Sequence, residues 1–134
     1  MLRWVVCLGF VAACADANPH ARRAAAYDEL IAIANECSSR FTFFRDSLDI
    51  ACANRADEYQ PRVREYWECE ADRVEELLRC ERREGCEGRL ECTTMECPTP
   101  SAEQLMQWQC DVEVCVSARL DRPPPPNCSE YLRP

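Results

Sequence analysis

The 134-residue sequence contains no lysine, and all 16 of its basic side chains are arginine. Schiff-base catalysis, a phosphate-loop lysine and a lysine general base are thereby excluded together. An Arg- and Ala-rich, Lys-free composition is what high-GC codon usage produces. Glycine is almost as scarce: only Gly9, Gly85 and Gly88 occur. That removes both a glycine-rich phosphate cradle and a chain of hairpins with positive-φ turns. Histidine is represented by His20 alone, and neither G-x-S-x-G nor C-x-x-C is present. A histidine-assisted nucleophile, a zinc or c-haem site and a dithiol redox centre each need one of these patterns. Positive charge is also short, with a formal net charge of -8. Nucleic acid as a partner, and electrostatic docking on anionic lipid, are disfavoured on that account.

What the chain has in abundance is cysteine, 12 residues in all. Such density marks an oxidised scaffold of an exported protein rather than a cytosolic enzyme. The cysteines at 80, 86, 92 and 97 are spaced too widely for a thiolate metal site, so disulfides are expected. Ala, Glu, Arg and Leu make up much of the remainder and favour helix.

The first residues, MLRWVVCLGFVAACADANPHARR, carry Arg3 and then an uncharged apolar run from Trp4 to Ala13. Ten such residues are too few to span a bilayer and suit the apolar region of an export signal. At its end, Val11-Ala12-Ala13-Cys14 resembles the lipobox of bacterial lipoproteins: an aliphatic residue, two small residues, then cysteine. The resemblance implies that the Cys14 thiol is alkylated with diacylglycerol, that the signal is cut just before it, and that the new amino terminus is acylated. Residues 1–13 are then a signal peptide, 14–23 a lipidated tether and 24–134 a cysteine-rich domain. The rest of the chain looks like the small cysteine-rich lipoproteins of high-GC bacteria, without matching a named family. The competing expectation is ordinary secretion, with cleavage beside Ala13 and Ala15 or Ala15 and Ala17. Either route takes Cys7 and Cys14 out of the pairing. Cys37, Cys52, Cys69, Cys80, Cys86, Cys92, Cys97, Cys110, Cys115 and Cys128 remain, an even ten.

Between Tyr27 and Arg55, apolar residues recur in steps of three and four (Leu30, Ala34, Cys37, Phe41, Phe44, Leu48, Ala51). This spacing predicts a helical seam, bent near Ser38 and Ser39, with Phe41, Phe43 and Phe44 as a core stripe in which Phe43 is partly exposed. A second helix is expected over Pro61–Glu84, turning Val63, Tyr66, Trp67, Val74, Leu77 and Leu78 inward and ending at Gly85. Its dense acidic and basic remainder, including Glu75 and Arg79, reads as a solvated face. Residues 86–100 form a cysteine-rich elbow. Ser101 and Gln104 form a capping box for a third helix with Leu105, Trp108, Val112 and Cys115 inward, although residues 112–116 also alternate like a strand. Pro123–Pro126 is read as a stiff strap laid over the bundle and fastened by Cys128.

The expected fold is therefore all-α: a small disulfide-stapled helical hairpin, a third helix and a cysteine-rich elbow. If the first two helices are antiparallel, Cys52 meets Cys69 near the turn, and Cys37 meets Cys80 in preference to Cys86. At about 100° per residue, the step from Cys69 to Cys80 returns to one face. No catalytic residue, metal ligand or cofactor is marked out. The chain reads as a non-enzymatic, envelope-anchored binding or structural module, its partners being the membrane through the lipid and an unidentified protein. The alternative from another class is a secreted disulfide-rich inhibitor or toxin-like effector; a thiol oxidoreductase would require a free, acidic thiol.

Overall fold

The computed structural model describes residues 18–37, 48–88 and 92–133. The described residues form four α-helices, α1 (Pro19–Glu36), α2 (Ile50–Tyr59), α3 (Pro61–Gly88) and α4 (Ala102–Arg119), and a closing 3-10 helix, Pro126–Tyr131. No strand occurs among them. The protein is a small, disulfide-rich, all-α fold, and residues 112–116 lie inside α4 rather than in a strand. The chain divides into two compact units.

The first unit combines α1 with the part of α3 from Glu70 onward and the segment to Met95. Its core is Ala26, Leu30, Val74 and Leu78, with Tyr27, Ile33 and Leu77 against them. The helices run parallel here: Arg22 binds Glu75, Glu29 pairs with Arg82, and Cys37 is bridged to Cys86, so both sequences advance together. α1 starts earlier than expected, within the stretch read as tether. The Asn18 side chain accepts from the His20 and Ala21 N–H groups and Pro19 occupies the first turn, a strong start signal. Pro19 and His20 are buried.

The second unit holds α2, the start of α3 to Cys69, and residues from Glu96 onward. α2 and α4 are antiparallel, as three pairings show: Asp49 with Arg119, Cys52 with Cys115, and Asp57 with Trp108. Cys52, Ala53, Ala56, Val63, Trp108 and Val112 form the core, with Leu48, Trp67, Leu105 and Val116 packed on it. The small residues of α2 make a shallow face on which the Trp108 indole lies. The single seam expected from Tyr27 to Arg55 is instead two helices. α1 ends at Glu36, and α2 begins afresh behind Asp49, whose carboxylate caps it by accepting from Cys52 N–H at 3.0 Å. Phe41, Phe43 and Phe44 lie outside the described residues.

α4 begins with the capping box: Gln104 N–H donates to Ser101 Oγ, and Ser101 N–H to Gln104 Oε1. Gly85 interrupts α3 at φ 68°, ψ -167°, a conformation essentially restricted to glycine. That break separates Cys86 from the helical phase of Cys80.

Candidate functional site

Ten cysteines form five bridges, Cys37–Cys86, Cys52–Cys115, Cys69–Cys97, Cys80–Cys92 and Cys110–Cys128. The expected Cys52–Cys69 and Cys37–Cys80 pairs are both corrected. The expectation assumed an antiparallel pairing of the first two helices. α1 instead runs parallel to its part of α3, so Cys37 at its C-terminal cap meets Cys86 just beyond Gly85. Cys52 faces α4 because the Ala53 and Ala56 side of α2 packs there. Cys69 and Cys80 are left to hold the elbow. No free thiol occurs among the described residues. Nor does any group of three His, Cys, Asp or Glu side chains there stand ready to hold a metal ion. Cys7 and Cys14 lie outside the described residues.

The charged faces are organised by arginine. Arg22 forks onto Glu75 (Nε–Oε1 2.9 Å, Nη2–Oε2 2.9 Å) and reaches Asp72 at 2.5 Å. The hydrogen bonds it donates to Glu75 first, and then to Asp72, raise its pKa and keep it charged. Glu75 therefore serves this inter-helix fork instead of an intrahelical pair with Arg79. Arg73 binds Glu70 and comes within 3.5 Å of Thr94 Oγ1, fastening the elbow. Arg133 clasps Asp111 with two bonds (2.8 and 3.1 Å) and lies over the Tyr59 ring, 4.5 Å from its centroid. These arrangements satisfy carboxylates with guanidinium forks and hold elements together.

Three hollows among the described residues bear on the candidate site. One, about 390 Å³ and charged, lies in the first unit by Glu76, Arg79 and Thr93. A second, about 250 Å³, lies by Arg55, Tyr59, Tyr131 and the Arg133–Asp111 clasp. The third, about 370 Å³, is walled by Arg62, Glu65 and Tyr66 of α3 and by Pro98, Pro100 and Gln104. It combines an aromatic ring and two prolines with one charge of each sign. The apolar floor of this third hollow, with its flanking charges, suits binding an extended peptide. The Tyr66 wall was read from sequence as core. It is half-buried, with its edge against Trp67 at a centroid separation of 5.1 Å. Helical periodicity identifies a face but not whether an irregular segment leaves part of it open.

No helix among the described residues is long and apolar enough to cross a membrane. Compared with protein-family models, with characterised proteins and with solved structures, the chain matches none.

Proposed function

We propose that the protein is an exported, lipid-anchored envelope protein of non-enzymatic character, acting as a binding or structural module. The observation that carries the reading is the Val11-Ala12-Ala13-Cys14 motif directly behind the apolar run from Trp4 to Ala13. Small residues beside the scissile bond let a peptidase close on it, and the Cys14 thiol is the nucleophile for lipid transfer. Five disulfides support an oxidising destination, because such bonds persist outside the reducing cytosol. Asn18 caps α1 within the stretch expected to be tether. Acyl chains contribute about 0.8 kcal/mol per buried CH2, so several of them on one cysteine hold a protein of this size stably.

Membrane fractionation with detergent phase separation tests the anchor. The native protein partitions with detergent, and Cys14→Ala moves it to the aqueous phase or leaves its signal uncleaved. A native protein found in the aqueous phase with an amino terminus at Asp16 or Asn18 overturns the anchor in favour of secretion.

A further inference from the structure

The stretch expected to lie as a strap over the bundle does not bury its prolines. Pro123, Pro124 and Pro126 are exposed, and Leu120 beside them is 53% exposed. The segment is nevertheless held at both ends. Arg122 N–H donates to Ser117 O at 2.8 Å, and Cys128 N–H donates to Pro125 O at 3.0 Å. The buried Cys128 is bridged to Cys110 in the middle of α4. Pro125, at φ -57°, ψ 138°, is in the polyproline II conformation. A run of this kind has no N–H groups to satisfy and has already lost its conformational freedom on folding. It presents apolar rings at little further entropic cost, which is the basis of proline recognition by aromatic grooves.

The same unit carries a groove of the complementary kind at the other end of α4. Tyr66, Pro98 and Pro100 give it an apolar floor, while Arg62 and Glu65 supply one charge of each sign. The prolines are preceded by Asp121 and Arg122, again one charge of each sign. Within one molecule the two do not meet. From Gln104, at the groove, the strap's fixed points at Cys110 and Ser117 are about 9 and 20 Å further along the helix axis at 1.5 Å per residue. We propose that the Asp121–Pro126 segment of one copy docks in the Tyr66 groove of a second copy, with Arg122 against Glu65 and Asp121 against Arg62. The contact is head-to-tail: each molecule keeps one free strap and one free groove, so association continues into a ring or an open chain. Surface charge pairs of this sort add little affinity but set direction and salt dependence. The contact is independent of whether the protein is anchored or released.

The test is sedimentation velocity on the exported protein from roughly 10 μM to 1 mM, the range in which small interfaces associate. Weight-average mass is expected to rise with concentration and to fall with added salt. Glu65→Arg and Arg122→Glu, each turning an attraction between exposed side chains into a like-charge repulsion, should each weaken association about fivefold. An equimolar mixture of the two should restore it, because the reversed groove of one accepts the reversed strap of the other. The Pro123→Ala/Pro124→Ala double variant should weaken it comparably. Far-ultraviolet circular dichroism and an absence of free thiols confirm that the variants fold. A mass that stays monomeric throughout overturns the proposal, as does association that survives both charge reversals. Loss in the proline variant without loss in Glu65→Arg also overturns it, and moves the strap's docking site elsewhere on the second copy.

Discussion

The residue that most sharply defines the second core is Trp108. Its indole is 6% exposed and donates from Nε1 to Asp57 Oδ1 at 2.8 Å, and Asp57 is itself 5% exposed. Removing the acceptor leaves a buried N–H without it, at about 1 to 3 kcal/mol. Asp57→Ala should therefore lower the unfolding free energy by that amount in urea titration, and Asp57→Asn, which keeps an acceptor oxygen, by less. Equal losses would show that the carboxylate charge rather than the hydrogen bond matters. Asp49 is a second site where one side chain does two things. Its pKa is lowered, first by the Cys52 N–H it caps and next by Arg119, whose Nη1 lies 2.6 Å from Oδ2. A depressed folded value means that the stabilisation is present above the unfolded pKa of about 3.9 and is lost as pH falls through the lower, folded one. Asp49→Asn keeps a capping oxygen but cannot titrate. Its stability should fall less than that of the natural protein between neutral pH and about pH 3, measured by denaturation at each pH. A parallel pH profile for the two would contradict the assignment.

At the scale of elements, the bridges follow from how far each kind of backbone travels per residue. Cys69 and Cys80 are eleven residues apart on α3, a rise of about 16.5 Å at 1.5 Å per residue. Cys92 and Cys97 are five residues apart in irregular chain, and five extended residues also span about 16.5 Å. The two spacings are therefore compatible with Cys80–Cys92 and Cys69–Cys97, which join them in reverse order. Bridge removal should then scale with the loop each closes. Cys52–Cys115 spans 63 residues and Cys80–Cys92 spans 12. By chain entropy, replacing the first pair with alanine should cost about 1.5 kcal/mol more than replacing the second, read as the difference in urea unfolding free energy. The fully buried position of Cys52 adds to the difference. A smaller effect at Cys52–Cys115 than at Cys80–Cys92 would mean that the unfolded chain keeps α2 and α4 together without the bridge.

For the whole molecule, the two apolar clusters are small, with alanine and cysteine among their main members. A chain with so little buried hydrocarbon needs covalent staples, and cysteine density alone announced that dependence. Much else was legible from local signals. Scarce glycine and a 3.6-residue period predict helices, the Ser101 and Gln104 box places the start of α4, and Gly85 marks the break in α3, because each rests on a backbone preference acting within a few residues. The Asn18–Pro19 start of α1 was equally local and was overlooked beside the charged residues read as tether. The proposed export signal rests on a linear pattern as well. Only the tertiary structure decided the rest: the parallel course of α1, the five partners, and the exposure of Pro123 and Pro124. Helical phase tells which residues share a face, but the direction and neighbour of a helix are set by packing between segments distant in sequence. A disulfide records that packing, since its Cα atoms must come within about 7 Å. The sequence by itself therefore determined that the chain is helical and stapled; three-dimensional packing chose which cysteines meet and which surfaces are left open.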